Sequence, residues 1–251
     1  LVMSATPIPR TLVLTLYGDM DVSRLKEKPI NRKSIITLSK PEEKIEEVLI
    51  FVENEIKKGN QVFWVCPLIE ESKNLDYSAA VNKFKLLSKR FNKKVGIIHG
   101  NLDKKEKEKV LDLFSKNKLS ILVSTTVIEV GVDYPNVTVI VIENSNKFGL
   151  SQLHQLRGRV GRGPAQGTCI LLYKKNLSEN ARKRIKILKS SNDGFLIAEE
   201  DMKLRGFGDV LGYQQSGIKE FKIADPIHHE ALFKIAEKNI KDIELEFNGF
   251  K

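Results

Sequence analysis

Short apolar runs rich in valine and isoleucine alternate with amphipathic stretches between residues 33 and 173. Several of the runs are almost continuously apolar, as expected of strands that are buried on both faces. This alternation predicts an α/β fold in which a parallel sheet carries helices on both faces and binds its ligands at the carboxyl ends of the strands. The predicted strands are Ser34–Leu38, Gln61–Cys66, Val95–His99, Ile121–Ser124, Val137–Glu143 and Thr168–Tyr173.

The stretches between the predicted strands have the features of helices. Pro41 stands near the start of the first, and Gly59 follows its end. A second helix is expected from about Ser78 to Phe91, and a third begins near Asp103. These helices provide the connections that a parallel sheet requires.

The pattern changes after Tyr173, where basic residues become crowded. A helix is expected to begin at Ser178 and a second to cover Phe195–Leu204, followed by a glycine-rich loop. A final amphipathic helix is expected over Ile227–Leu245, with Leu232, Ile235, Ala236 and Ile243 facing inward. The chain is therefore expected to divide into segments 1–32, 33–175 and 176–251.

The charge of the chain indicates the kind of partner it meets. The formal net charge is +10, and a surplus of this size attracts polyanions, of which nucleic acid is the commonest, although a basic surface can also serve solubility alone. The longest apolar runs are too short to span a bilayer. Cys66 and Cys169 lie in apolar strands and are expected to be buried free thiols. No cysteines and histidines have the spacing of metal ligands.

The run from Gln155 to Gly163 contains closely spaced arginines and glycines. Ser151 is expected to cap a helix that enters it, and if that helix continues, Arg159 and Arg162 point the same way. Two guanidinium groups on one face suit a phosphate group. The glycines at 158 and 161 weaken a helix, which suggests a bend or a close backbone approach.

A second run follows the strand that ends at Ser124. Thr125 and Thr126 fall where a helix would begin, so that their hydroxyls and free amides converge on an anion site. Asp133, just past Gly131, can accept a hydrogen bond from a sugar hydroxyl. With the arginine run on the edge of the next strand, the two runs are expected to form one ligand site.

These runs resemble the motifs of helicase superfamily 2. Ser4-Ala5-Thr6 is similar to motif III, Thr125–Asp133 to motif V and Gln155–Arg162 to motif VI. The resemblance implies a RecA-like lobe in which Arg162 is the catalytic arginine finger and Arg159 its catalytic neighbour. It also implies ATP contacts at Gly131, Asp133 and Gln155. The DNA contacts that it implies are His99, Gly100, Thr125 and Thr126. Ser4 and Thr6 would couple the state of the bound ATP to the binding of DNA.

The remainder of the chain resembles the RecG family of helicases. The likeness rests on Thr6–Leu12, Trp64–Ser72 and Ser191–Gly206, and on the glycine-rich segment that ends with Gln215-Ser216-Gly217. It implies that the last segment is a translocation motif, made of a helical hairpin and a loop, with coupling residues Arg184, Arg205 and Gln215. Phe207, Asp209 and Gln214 depart from the pattern of the family.

The resemblance implies the second motor lobe of an ATP-dependent DNA translocase that remodels branched DNA such as stalled forks and Holliday junctions. The sequence contains no Gly-x-x-x-x-Gly-Lys-Ser/Thr run, so ATP with Mg²⁺ is expected to be bound mainly by a first lobe upstream of Leu1. We therefore expect the chain alone not to hydrolyse ATP. The first lobe and a wedge domain are its implied partners in cis, in a monomeric cytoplasmic protein at the nucleoid without a membrane partner.

Two other functions remain open at this stage. A transcription-repair coupling factor has a similar translocation motif, although Asp193-Gly194-Phe195 and the run at Trp64 favour the RecG family. An isolated basic lobe could also grip DNA phosphates without performing work. Adding the first lobe would separate a motor from a binding module, because only a motor would then hydrolyse ATP in response to DNA.

Overall fold

The computed structural model describes residues 33–67, 73–125 and 134–205, with the single positions 23, 25, 27, 232, 235, 236 and 239. For residues 73–78, 93 and 205 it describes the backbone alone. The chain forms two compact units, Lys28–Asn192 and a second made of Leu1–Glu27 with Asp193–Lys251. No helix in the described part of the chain is long and apolar enough to cross a membrane.

Six parallel strands form a single sheet in the first unit, in the order β1-β6-β5-β2-β4-β3. The predicted parallel sheet is therefore confirmed. Every residue of β2 and β5 is buried, which explains why their sequences are apolar without alternation. The strands are β1 (Ile36–Pro41), β2 (Gln61–Val65), β3 (Val95–Ile98), β4 (Ile121–Ser124), β5 (Val137–Ile142) and β6 (Thr168–Tyr173).

Helices cover both faces of this sheet, as the sequence predicted. On one face, α1 and α2 pack apolar side chains around Trp64. Phe63 precedes Trp64 on β2 and so faces the other side, where its ring stacks on Phe114 of α3 at a centroid distance of 5.5 Å. The helices of this unit are α1 (Ile45–Lys57), α2 (Lys73–Phe91), α3 (Lys104–Ser115), α4 (Leu150–Arg157) and α5 (Glu179–Ser190), with short 3-10 turns at Glu42–Lys44, Asn92–Lys94 and Ser145–Lys147.

Three helix boundaries lie where the sequence predicted them, and each has a clear physical cause. The Asp103 carboxylate accepts a hydrogen bond from the Glu106 amide at 2.7 Å and caps α3. The Ser178 hydroxyl accepts from the Ala181 amide and caps α5. Gly59, just past α1, has a φ of +88°, which a residue with a side chain rarely adopts.

Two elements differ from the prediction by more than one residue. β1 begins at Ile36 rather than Ser34 and continues to Pro41, because its pairing with β6 extends to Tyr173. A proline is tolerated there since β1 is an edge strand whose outer side needs no amide donor. α2 begins at Lys73, five residues before the predicted start near Ser78.

The C-terminal part of the chain is described only in pieces. α5 belongs to the unit that contains the sheet, which extends to Asn192, past the predicted division at 175. α6 (Gly194–Arg205) matches the predicted second helix, and the Asp193 carboxylate accepts a hydrogen bond from the Phe195 amide at its start. Leu232 and Ile235 are 60% and 56% exposed and Ala236 is exposed, so the prediction that they face inward is wrong. Ile243 and the glycine-rich loop lie outside the described residues.

Candidate functional site

The arginine run does not continue the helix that precedes it. α4 begins at Leu150 with Gly149 as its N-cap, so Ser151 is not the cap that the sequence predicted. The helix ends at Arg157 with Gly158 as its C-cap, and Arg159 and Arg162 lie in the loop beyond it. Gly161 has a φ of +67°, and a Cβ there would lie 3.2 Å from the Cα of Gly167. The predicted bend is thus confirmed at Gly161, and the helix does not continue to Arg159 and Arg162.

This loop lies at the amino end of the sheet. The Gly161 amide donates a hydrogen bond to the carbonyl of Val137, the first residue of β5, at 3.3 Å. Gly163 packs so closely on Pro135 that a Cβ would lie 2.5 Å from its carbonyl oxygen. The expectation that the arginines share the carboxyl edge with the threonine run is therefore wrong. The cause is α4 itself, because a crossover helix carries the chain back before the next parallel strand begins.

The two arginines of the loop lie close enough for their charges to repel each other. Burial, and then the positive charge of Arg162, hold the pKa of Arg159 below its ordinary value. Among the described residues the Arg159 side chain has no hydrogen-bond or ion-pair partner, and Arg162 Nε donates to the Gly158 carbonyl at 3.3 Å. Two neighbouring cations, one of them without an acceptor, form an arrangement that an anion would stabilise.

Arg157, immediately before this loop, was not singled out from the sequence. Its side chain is 2% exposed, and its Nη1 atom donates to the carbonyls of Leu188 and Ser191 at 2.6 Å and 2.8 Å. Burial lowers its pKa. A pattern in the sequence could have revealed it, because Arg157 lies four residues after the buried Leu153 and seven after the buried Leu150, on the apolar face of α4.

Arg184, the predicted coupling residue of α5, has the acceptors that a half-buried arginine needs. It donates to the carbonyls of Phe148 at 2.7 Å and Asn146 at 3.1 Å. These carbonyls belong to the turn that leads into α4. Since Arg157 joins the other end of α4 to the end of α5, two arginines fix the helices to each other at two places.

The carboxyl edge of the sheet holds the predicted DNA-contacting residues that the structure describes. His99 follows β3 and Thr125 follows the adjacent β4, and both are buried. The Thr125 amide donates to the Ile98 carbonyl at 3.4 Å, so the prediction that it is a free amide is wrong. Burial and the charge of Lys107 lower the pKa of His99. Gly100 is exposed in open space.

A half-buried ion pair near this edge was also missed. Lys83 Nζ lies 2.6 Å from Glu143 Oε1, and the two side chains are 15% and 16% exposed. The same ammonium group lies 5.6 Å from the centroid of the Trp64 ring. Cys66, beside Glu143, is a buried free thiol as predicted, and burial raises its pKa. Neither Lys83 nor Glu143 belongs to a recognisable run, and only the packing of α2 on the sheet brings them together.

Of the remaining predicted site residues, the structure describes Gln155 and the backbone of Arg205. Gln155 is exposed on α4, two residues before Arg157. Of Arg205 the structure describes only the backbone. The other predicted positions, which belong to the motif III, motif V and loop segments, lie outside the described residues: Ser4, Thr6, Thr126, Gly131, Asp133 and Gln215.

Known proteins resemble this chain in both units. Residues 40–164 match the family model of the helicase conserved C-terminal domain, and residues 191–248 match that of ATP-dependent DNA helicase RecG, domain 3, C-terminal. The chain is 48% identical over 245 residues to the ATP-dependent DNA helicase RecG of Bacillus subtilis, covering 97% of this chain and 36% of that protein. The corresponding protein of Escherichia coli is 44% identical, with 97% and 35% covered.

Solved structures agree with the sequence matches. The structure of RecG bound to a three-way DNA junction superposes with a TM-score of 0.73 at 44% identity and covers 92% of this chain and 30% of that one. The yeast DEAD-box splicing factor Prp28 gives a TM-score of 0.51 at 20% identity, covering 76% and 39%, a likeness of fold alone. The chain spans about a third of the length of the curated relatives that it matches.

Proposed function

Because this chain belongs to the RecG family of ATP-dependent DNA helicases, we propose that it acts as the second motor lobe of a DNA translocase that remodels branched DNA. Its six-stranded sheet is a RecA-like helicase C-terminal lobe. The substrates we propose are stalled replication forks and Holliday junctions. The relative solved in complex with a three-way DNA junction supports this choice.

The observation that carries the proposal is the arginine loop at the amino end of the sheet. Arg159 has no partner among the described residues and lies beside Arg162, so the pair is suited to the charge of a triphosphate. We assign the finger to Arg162 and a neighbouring phosphate contact to Arg159. Such a group stabilises the negative charge that develops on the transferred phosphoryl group. Gln155, Gly131 and Asp133 complete the nucleotide contacts that we propose.

The nucleotide would be held mainly by other parts of the protein. The 251 residues contain no phosphate-binding loop, so we propose that a first lobe in cis binds ATP with Mg²⁺ and that this lobe contributes the arginines. By the same argument the 251 residues alone do not turn over ATP. A wedge domain in cis would separate the strands. We further propose that the whole protein is a monomer without a membrane partner that works in the cytoplasm at the nucleoid.

DNA would bind at the opposite edge, where His99 and Gly100 follow β3 and Thr125 follows β4. Thr126 is the further DNA contact that we propose. A strand of six residues spans roughly 20 Å, so nucleotide and DNA can be bound at the same time without competing for one group. The net charge of +10 favours phosphate contacts that do not depend on base sequence.

Coupling between the two ligands would pass through the contact between α4 and α5. The arginine loop directly follows α4, and Arg157 and Arg184 fix α5 to that helix. A displacement of the loop would therefore move α5, the first helix of the proposed translocation motif, and the chain that follows it. Ser4, Thr6, Arg205 and Gln215 are the further coupling residues that we propose.

The decisive experiment is the Arg162→Ala substitution in the full-length protein, with Lys89→Ala as an exposed control. We expect DNA-stimulated ATP hydrolysis to fall by about 10³-fold or more, while binding to a three-way junction remains unchanged. An unchanged rate of hydrolysis would remove the finger assignment. If the unsubstituted protein binds DNA but never hydrolyses ATP, the alternative of a non-catalytic DNA-binding module is correct. The match of residues 191–248 to the RecG model favours this family over a transcription-repair coupling factor.

A further inference from the structure

The outer face of α5 carries three cations in one row. Arg182, Lys186 and Lys189 are exposed and follow the spacing i, i+4 and i+7, beside the buried row that holds Ala181, Ile185 and Leu188. None of the three side chains has a hydrogen-bond or ion-pair partner in the part of the chain that the structure describes. We call these three residues the α5 basic row.

Three other basic residues of this region are already engaged. Arg184 donates to backbone carbonyls, and Lys183 pairs with Glu179 at 2.7 Å. Lys175 pairs with Glu43 at 3.2 Å. The α5 basic row therefore consists of the basic side chains of α5 that have no acceptor among the described residues. Its charge is available to a partner outside them.

An unpaired row of this kind is costly to the helix that carries it. Arg182 and Lys186 are one helical turn apart, and like charges at this spacing destabilise a helix. Other helices of this protein place an acid at the same spacing, as in Lys57 with Glu53 and Lys116 with Asp112. On α5 the positions four residues before the members of the row hold Ser178, Arg182 and Ile185, none of them an acid. Glu179, three residues before Arg182, pairs with Lys183 instead. An external anion would remove the repulsion.

The length of the row matches the charge spacing of a duplex. Seven residues of helix from Arg182 to Lys189 rise about 10 Å. Over that distance one strand of duplex DNA carries about three phosphates. Long, exposed side chains without fixed partners are suited to phosphate contacts, which position a protein on DNA without recognising its sequence.

We propose that the α5 basic row binds the sugar-phosphate backbone of duplex DNA, at a surface separate from the ends of β3 and β4. The inference rests on the proposed function, because it takes DNA as the polyanion, and it adds a contact that the helicase motifs do not contain. An arm of the DNA on this helix would be held by the element that Arg157 and Arg184 fix to α4. DNA would then directly contact α5, the helix through which we propose that nucleotide and DNA binding are coupled.

The test uses the purified full-length protein and measures its affinity for a labelled duplex and a labelled three-way junction by fluorescence anisotropy. The affinity is measured over a range of salt concentrations. The variant carries Arg182→Gln, Lys186→Gln and Lys189→Gln. The matched control carries Lys85→Gln, Lys89→Gln and Lys94→Gln, which removes the same charge from exposed positions on and just after α2. A third variant, Arg182→Lys with Lys186→Arg and Lys189→Arg, keeps the charge of the row.

We expect the slope of log affinity against log salt to become shallower by between about one and three in the glutamine variant, since each phosphate contact contributes about 0.9. The control and the charge-keeping variant retain the original slope. A glutamine variant with an unchanged slope, or a control that loses as much, overturns the proposal, and the row then serves another partner or solubility. If the unsubstituted protein does not bind either DNA, the proposed function fails as well, so the two failures are distinguishable.

Discussion

Arg157 donates a hydrogen bond of 2.6 Å to the carbonyl oxygen of Leu188 and thereby joins the last residue of α4 to the last turn of α5. The carbonyls at the end of a helix lack partners within it and carry partial negative charge. A buried guanidinium satisfies two of them here, at Leu188 and Ser191. Among the described residues no carboxylate pairs with Arg157. The end of α5 therefore depends on one side chain from the neighbouring helix.

Replacing Arg157 should destabilise the lobe. Arg157→Met keeps the apolar stem but leaves two buried carbonyls without a donor, so we expect the free energy of unfolding to fall by about 2–4 kcal/mol. Arg157→Lys retains one donor group, so its free energy of unfolding should lie between those of Arg157→Met and the unsubstituted protein. Urea unfolding followed by circular dichroism measures the change, and Arg182→Met at an exposed position of α5 is the control. Equal stability of Arg157→Met and the unsubstituted protein would contradict this account.

Replacing Arg184 should separate hydrolysis from unwinding. Arg184→Ala removes the contacts to the turn before α4 but leaves the arginine loop intact. In the full-length protein we expect ATP hydrolysis to be nearly unchanged, while unwinding of a three-way junction falls about 5- to 150-fold, the usual range of coupling between sites. Lys183→Ala on the same helix is the control. Parallel loss of both activities would indicate a purely structural role for Arg184.

Gly163 should not tolerate a side chain. The Cβ of Gly163→Ala would lie 2.5 Å from the Pro135 carbonyl oxygen, and relief requires a backbone shift that costs about 1–3 kcal/mol of stability. The same shift moves the loop that holds Arg162, so hydrolysis should fall too. Gly100→Ala, which meets no atom within 4 Å, is the control in thermal unfolding. Identical melting temperatures for the two variants would show that the close contact is not maintained in solution.

The ion pair between Lys83 and Glu143 should matter more than the surface pairs. Lys83→Met leaves a half-buried carboxylate unpaired, and we expect a loss of about 1–3 kcal/mol. Adding Glu143→Gln should recover part of that loss, because the unpaired charge is removed. Lys57→Met in the exposed pair with Glu53 should change stability by less than about 1 kcal/mol. If the loss of stability in the double variant equals the sum of the losses in the two single variants, Lys83 and Glu143 do not interact.

Acid should weaken the fold through His99. Its pKa is lowered in the folded protein by burial and by Lys107, with a smaller opposing effect from Glu106. The unfolded chain therefore takes up the proton at a higher pH, and the contribution of neutral His99 is present above the ordinary histidine pKa and lost as pH falls below it. Urea unfolding at about pH 7.5 and 5.5 brackets that value. His99→Gln should show a smaller difference between the two conditions, and an identical difference would exclude this residue as the cause.

Local structure followed closely from the sequence. Five of the six strands lie within one residue of their predicted bounds, because buried runs of valine and isoleucine between turn residues leave few alternatives. The caps at Asp103 and Ser178 were equally predictable, since their side chains accept hydrogen bonds within the same turn. β1 was misplaced because the end of an edge strand is decided by its partner, β6.

The geometry of the candidate site could be predicted only in part. The arginine and threonine runs were found from residue type, but they were expected at one edge and lie at opposite edges. The order of strands and helices decides the edge at which each run lies, because a helix between parallel strands must return the chain to the amino end. The contacts of Arg157, and the pair of Lys83 with Glu143, depend on packing between distant segments, which no short run of sequence specifies.

The separation of the two edges has a consequence for inhibition. A small anionic compound that occupied the loop around Arg159 would, on the function proposed here, block the motor without displacing DNA. The protein would then stay on the junction as a stationary obstacle. Such a compound would lower the rate of hydrolysis at every DNA concentration, and an excess of junction would not restore it.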